Sequence, residues 1–91
     1  MIKIQLSGSF QQDYKDLVAD NLTMRNEVLN RVELFKRNPN DTRLKNHLLH
    51  KRLEDKWAFS VTSDIRVVYE WLGRKTVRLL TIGGHRKVYH E

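Results

Sequence analysis

Apolar residues recur with two different periods along the 91-residue chain, and the period changes near its middle. At the start, Ile2, Ile4 and Leu6 alternate with polar residues, which predicts a strand. Phe10, Tyr14, Leu17 and Val18 then fall at i, i+4, i+7 and i+8, the stripe of an amphipathic helix. Ser9 and Gln12 have capping-box spacing, which predicts the start of that helix. A second stripe through Val28, Val32 and Phe35 is expected to begin at Thr23 and to end before Pro39, the chain's one proline. A tight connection between the two predicts a helical hairpin. Beyond the proline the period becomes two: Trp57, Phe59 and Val61; then Ile65, Val67, Tyr69 and Trp71; then Val77, Leu79 and Thr81. Thr62-Ser63-Asp64 and the segment around Gly73 are turn material. Strands joined by turns this short are antiparallel. The prediction is an α+β fold, β-α-α-β-β-β, with two helices packed on an antiparallel sheet and room for a short last strand. Residues 40–55 stay open between a helical turn and a folded-over loop, with Leu44, Leu48, Leu49 and Leu53 as anchors.

Composition narrows the picture. Ninety-one residues, 40% hydrophobic and 31% charged, make one domain (residues 1–91) with its own core. The absence of cysteine excludes a disulfide framework, a thiolate nucleophile and a zinc–thiolate site. No apolar run approaches the roughly 20 residues that span a bilayer. Met1-Ile2-Lys3-Ile4 lacks the character of a secretion signal, so the expected location is the cytoplasm.

Charge is distributed unevenly. Residues 1–42 hold six Lys and Arg against six acids, whereas residues 43–91 hold eleven against five, which is the whole of the +6 net charge. All four histidines, His47, His50, His85 and His90, lie in the second part. A basic surface favours nucleic acid, because Lys and Arg release condensed counterions from phosphate; an acidic protein partner fits the same charge.

Metal-free RNA cleavage requires a group to deprotonate the 2′-hydroxyl, one to protonate the leaving oxygen, and a cation for the phosphoryl oxygens. Histidine titrates near neutrality and suits both proton transfers. Arginine presents a planar, permanently charged fork to phosphate. His85 follows Gly83-Gly84 at a strand end. Arg66 alternates with Ile65, Val67 and Tyr69 and so faces away from the helices if those residues face them. Each could equally be a plain surface residue. His47 and His50, at i, i+3, have no obvious third ligand for a metal. Trp57 and Trp71 read as core more readily than as base-stacking platforms.

Four segments taken together resemble the RelE superfamily of bacterial type II toxins, in its RelE/StbE and YafQ-like branch. They are Leu44-x-x-His47-x-Leu49, Trp57-Ala58-Phe59-Ser60-Val61, Asp64-Ile65-Arg66-Val67-Val68-Tyr69, and Ile82-Gly83-Gly84-His85-x-x-Val88-Tyr89. The resemblance spans essentially the whole chain. It implies a RelE-like fold and a ribosome-dependent mRNA endonuclease, restrained by a cognate antitoxin and needing no cofactor or metal. The implied catalytic residues are His47, Asp64, Arg66 and His85. YafQ-like relatives place a further histidine where this chain has Ser60, and Arg66 matches the phosphate-binding arginine of RelE and YoeB relatives. Lys45, Lys51, Lys56, Arg78, Arg86 and Lys87 are the candidates for RNA or ribosome contact. Many relatives have Gly at positions 51 and 55, Thr at 84, and an acidic pair at 86–87. Implied partners are the antitoxin, the ribosome and mRNA, with operator DNA reached only through the antitoxin complex and no membrane. Rival readings within the same fold are a ParE-like gyrase poison and a non-catalytic binding relative.

Overall fold

The computed structural model describes residues 1–49 and 55–84. Strand β1 (Lys3–Leu6) leads into helices α1 (Gly8–Val18) and α2 (Leu22–Arg37). A 3-10 turn (Thr42–Leu44) precedes β2 (His47–Leu48), and β3 (Trp57–Ser60), β4 (Arg66–Trp71) and β5 (Thr76–Gly83) follow. The five strands form one sheet in the order β1-β5-β4-β3-β2. The described residues of the open stretch 40–55 thus contribute a 3-10 turn and a two-residue strand, and Leu53 lies outside them. The sheet is antiparallel from β2 to β5, but β1 runs parallel to β5. Short turns dictate direction only for the strands they join. Nothing local couples β1 to β5.

Both helices cover one face of the sheet. Phe10 from α1 and Val28 and Phe35 from α2 pack with Phe59, Val61, Ile65, Val67, Tyr69, Val77, Leu79 and Ile82. These are the alternating residues of β3, β4 and β5, so the period-two pattern reports the helix-facing side. Trp57 and Trp71 lie partly buried against this core, as their periodicity indicates. On the opposite face a small second cluster joins Leu49, Ala58 and Val68, with Leu80 partly buried beside it. A register shift at Val68/Tyr69 sets Tyr69 opposite Leu79.

Both helix starts differ from the sequence expectation. The cap of α1 is Ser7, whose Oγ accepts from the Phe10 amide at 3.0 Å, and not Ser9. Ser7 also donates through Oγ to the Leu80 carbonyl at 3.1 Å, so a contact with β5 selects it over a hydroxyl two residues later. Likewise Asn21, not Thr23, caps α2 by accepting from Met24. Ser7→Ala is expected to cost about 1 kcal/mol of stability, with Ser9→Ala within about 0.5 kcal/mol of wild type. Equal losses in urea melts of the two variants would contradict the Ser7 cap.

Asp55 has φ 66°, in the left-handed region. Glycine adopts it without strain; aspartate is among the few other residues that tolerate it.

Candidate functional site

The site is built on the sheet face that the helices leave open. Cross-strand partners share a face. Ala58 and Val68 belong to the outer cluster, so His47, paired with Ala58, and Ser60 and Arg66, paired with each other, lie on that face. Gly83 continues the row beyond Arg66 on β5.

His47 is presented by a tightly bonded loop. The Asp41 carboxylate accepts from the Arg43 backbone amide at 2.9 Å and pairs with its guanidinium at 2.9 Å. Those hydrogen bonds to Arg43 hold the Asp41 carboxyl down at about 2. Asn46 donates to the Pro39 carbonyl at 3.2 Å and accepts from the Tyr69 hydroxyl at 2.6 Å, joining the loop to the core. Lys45 adopts a left-handed conformation (φ 48°, ψ 43°), and its carbonyl lies 2.9 Å from His47 Nδ1. A carbonyl can only accept, so Nδ1 carries a proton, and Nε2 is the ring nitrogen left for a ligand. His47 is exposed.

The β3–β4 hairpin positions the other two groups. Thr62 Oγ1 accepts from the amides of Asp64 and Ile65, shaping the turn. Arg66 folds back over it, donating through Nη1 to the carbonyls of Thr62 at 2.8 Å and Ser63 at 2.9 Å. These contacts use both Nη1 protons and leave Nε and Nη2 available. Asp64 is exposed, and its carboxylate faces the end of β5: a Cβ at Gly84 would stand 3.4 Å from Oδ2 and 3.6 Å from Oδ1. Glycine at this position therefore leaves open the side of Asp64 that a threonine would cover. Strand spacing and rise put the Cα atoms of His47 and Arg66 roughly 12 Å apart. A histidine and an arginine can reach one phosphodiester from opposite sides across that gap.

The structure therefore brings Ser60, Asp64, Arg66 and the end of β5 together, with His47 two strands from Arg66 on the same face. Lys45 is exposed in the loop before His47. His85, Lys51, Arg86 and Lys87 lie outside the described residues, as does His50. Lys56 and Arg78, candidates for RNA or ribosome contact, are both paired with Glu70, at 3.2 and 3.3 Å. Sequence reasoning passed over Glu70 because this meeting depends on strand register. Among the described residues, no group of three or more His, Asp or Glu is placed to hold a metal ion. No helix among them is long and apolar enough to cross a membrane.

Comparison with family profiles and with curated proteins finds no match. Solved structures do match, over nearly the whole chain. A metal-bound toxin from Helicobacter pylori is 25% identical, with a TM-score of 0.77, covering 98% of this chain and 100% of its own. YafQ from Escherichia coli is 23% identical, with a TM-score of 0.79 and coverage of 98% and 99%. The chain has the RelE-superfamily toxin fold. A YoeB/ParE toxin from Agrobacterium tumefaciens, 20% identical with a TM-score of 0.78 and coverage of 92% and 99%, shares it. YafQ is also known in a toxin–antitoxin complex with DinJ. In this RelE-like fold the helical hairpin backs the sheet, and of the residues carrying the resemblance His47, Ser60 and Arg66 lie on the open face.

Tyr69 ties that face to the core. Burial pushes its phenol up to about 12. An unfolded tyrosine ionises near 10, so above that pH the unfolded chain loses this proton first. Stability from Tyr69 is complete below about pH 10 and declines towards about pH 12. Tyr69→Phe is expected to be less stable at neutral pH but to show a shallower alkaline decline in urea midpoints. A parallel decline in both proteins would exclude Tyr69 as its source.

Proposed function

We propose that this chain is the toxin of a toxin–antitoxin module and that it cleaves mRNA on the ribosome by metal-free acid–base chemistry. One observation carries the reading: Arg66 and an exposed His47 lie on the sheet face opposite α1 and α2, with the Asp64 carboxylate beside them at the end of β5. The RelE-superfamily fold and the YafQ complex with DinJ support an antitoxin as partner.

In the proposed reaction, His47 Nε2 takes the proton of a ribose 2′-hydroxyl. The 2′-oxygen then forms a bond to the adjacent phosphorus while the bond from phosphorus to the 5′-oxygen breaks. His85 protonates that leaving oxygen, so the products are a 2′,3′-cyclic phosphate and a 5′-hydroxyl. Arg66 donates through Nε and Nη2 to the phosphoryl oxygens as their charge grows. Asp64, facing the strand end that leads to His85, orients that histidine or contacts the ribose. Ser60 stands beside Arg66, where YafQ-like relatives have a further histidine, and it can donate a hydrogen bond but cannot exchange a proton near neutrality. Lys45, Lys51, Arg86 and Lys87 supply backbone contacts to mRNA or ribosomal RNA. Operator DNA is reached only through the antitoxin complex, and the protein acts in the cytoplasm.

The test is expression without an antitoxin, followed by primer extension on cellular mRNA. Translation-dependent, codon-phased cuts that disappear in His85→Ala are expected. DNA damage with intact mRNA would replace this reading with a ParE-like attack on gyrase.

A further inference from the structure

Lys56, Glu70 and Arg78 form a row across three strands on the open sheet face. Glu70 pairs directly with Arg78 between β4 and β5, and Lys56 precedes β3 at the level of Glu70. Lys56 Nζ lies 3.2 Å from Glu70 Oε1, and Arg78 Nη1 lies 3.3 Å from Oε2. Each carboxylate oxygen thus holds one cation. The Glu70 side chain is 23% exposed, less than Lys56 at 33% or Arg78 at 43%, so the cations project past it towards solvent. Arg66 is four residues away along β4, roughly 13 Å, on the same face.

We infer that Lys56 and Arg78 form a second phosphate subsite for the RNA strand, and that Glu70 occupies it in the free protein as an internal competitor. The chemistry is a like-for-like exchange. A phosphodiester offers two anionic oxygens that can bridge the ammonium and the guanidinium as the two oxygens of Glu70 do. Ion pairs that are partly open to solvent are weak, so a phosphate can displace the carboxylate. While Glu70 holds both cations, neither contributes fully to counterion release. Glu70 therefore restrains non-specific RNA affinity in a chain of net charge +6. The subsite rests on the reading of this face as an RNA surface and extends it from the reacting phosphate to a neighbouring one.

The test uses the full chain and a single-stranded RNA with 2′-O-methyl riboses, which cannot be cut by 2′-hydroxyl attack. Binding is measured by fluorescence anisotropy across a salt series. Glu70→Gln is expected to bind more tightly and to steepen the slope of log K against log salt by about 0.7 for each cation released to phosphate. Glu27→Gln, the same charge change on exposed α2, controls for net charge and should leave the slope unaltered. Arg78→Gln should make the slope shallower, and should cost more of it when added to Glu70→Gln than when made alone. Thermal melts confirm that each variant is folded. Equal slopes for Glu70→Gln and Glu27→Gln, a slope that Arg78→Gln leaves unchanged in the Glu70→Gln background, or no RNA binding by any of them would overturn the inference. A steeper Glu70→Gln slope in a chain that cuts no mRNA would retire the nuclease reading and keep the subsite.

Discussion

Arg66→Ala is expected to lower the rate of the proposed mRNA cleavage on programmed ribosomes by roughly 10²–10³-fold, the usual cost of removing one preorganised donor to a charge that grows in the transition state. The geometry explains why this arginine is preorganised. Its Nη1 is held by the carbonyls of Thr62 and Ser63, so the guanidinium is oriented before any phosphate arrives. Arg66→Lys keeps the charge, but a single ammonium cannot grip two turn carbonyls and also present a planar edge to phosphate. It should recover only a small part of the lost rate. The turn itself should survive both changes, since the hydrogen bonds lost contribute about 1–3 kcal/mol each at most. Single-turnover cleavage rates read beside thermal melts separate the two effects. A folded Arg66→Ala protein that cuts within a few-fold of wild type would remove Arg66 from the chemistry.

The largest loss of stability is expected from Phe35→Ala, at about 3–5 kcal/mol. Phe35 is fully buried, stacks on Phe59 with centroids 4.7 Å apart, and meets Tyr69 edge-on at 4.9 Å. It is the point at which α2 grips the middle of the sheet. Domains of this size hold about 5–15 kcal/mol in total, so the variant should be marginal at 37 °C. The site should suffer as well, because the Tyr69 hydroxyl anchors Asn46 and with it the loop that carries His47. Urea melts that show a loss under 1 kcal/mol would mean that the cavity closes and that Phe35 is not the keystone of this packing.

Much of the fold was legible in the chain because hydrophobic period is a local property. The residues Ile65, Val67 and Tyr69 alternate, and so had to face one side; Arg66 between them had to face the other. The helical stripes of α1 and α2 were legible for the same reason, as were the turns at Thr62-Ser63-Asp64 and Gly73. What lay one step beyond local pattern was not. Ser9, with Gln12, is the better cap in isolation, and the Leu80 carbonyl on β5 selects Ser7 instead. The two-residue strand at His47–Leu48 exists because β3 offers an edge to pair with, not because two residues announce a strand.

By itself, then, the sequence determined the element types, the buried side of each strand, the basic second half and the residues that resemble a RelE-superfamily toxin. Tertiary structure alone decided the parallel docking of β1 on β5, the register that lines up Lys56, Glu70 and Arg78, and the approach of Asp64 to Gly84. The division has one physical cause. Side-chain periodicity follows from backbone geometry over a few residues, whereas register and strand order are settled by contacts between segments far apart in the chain.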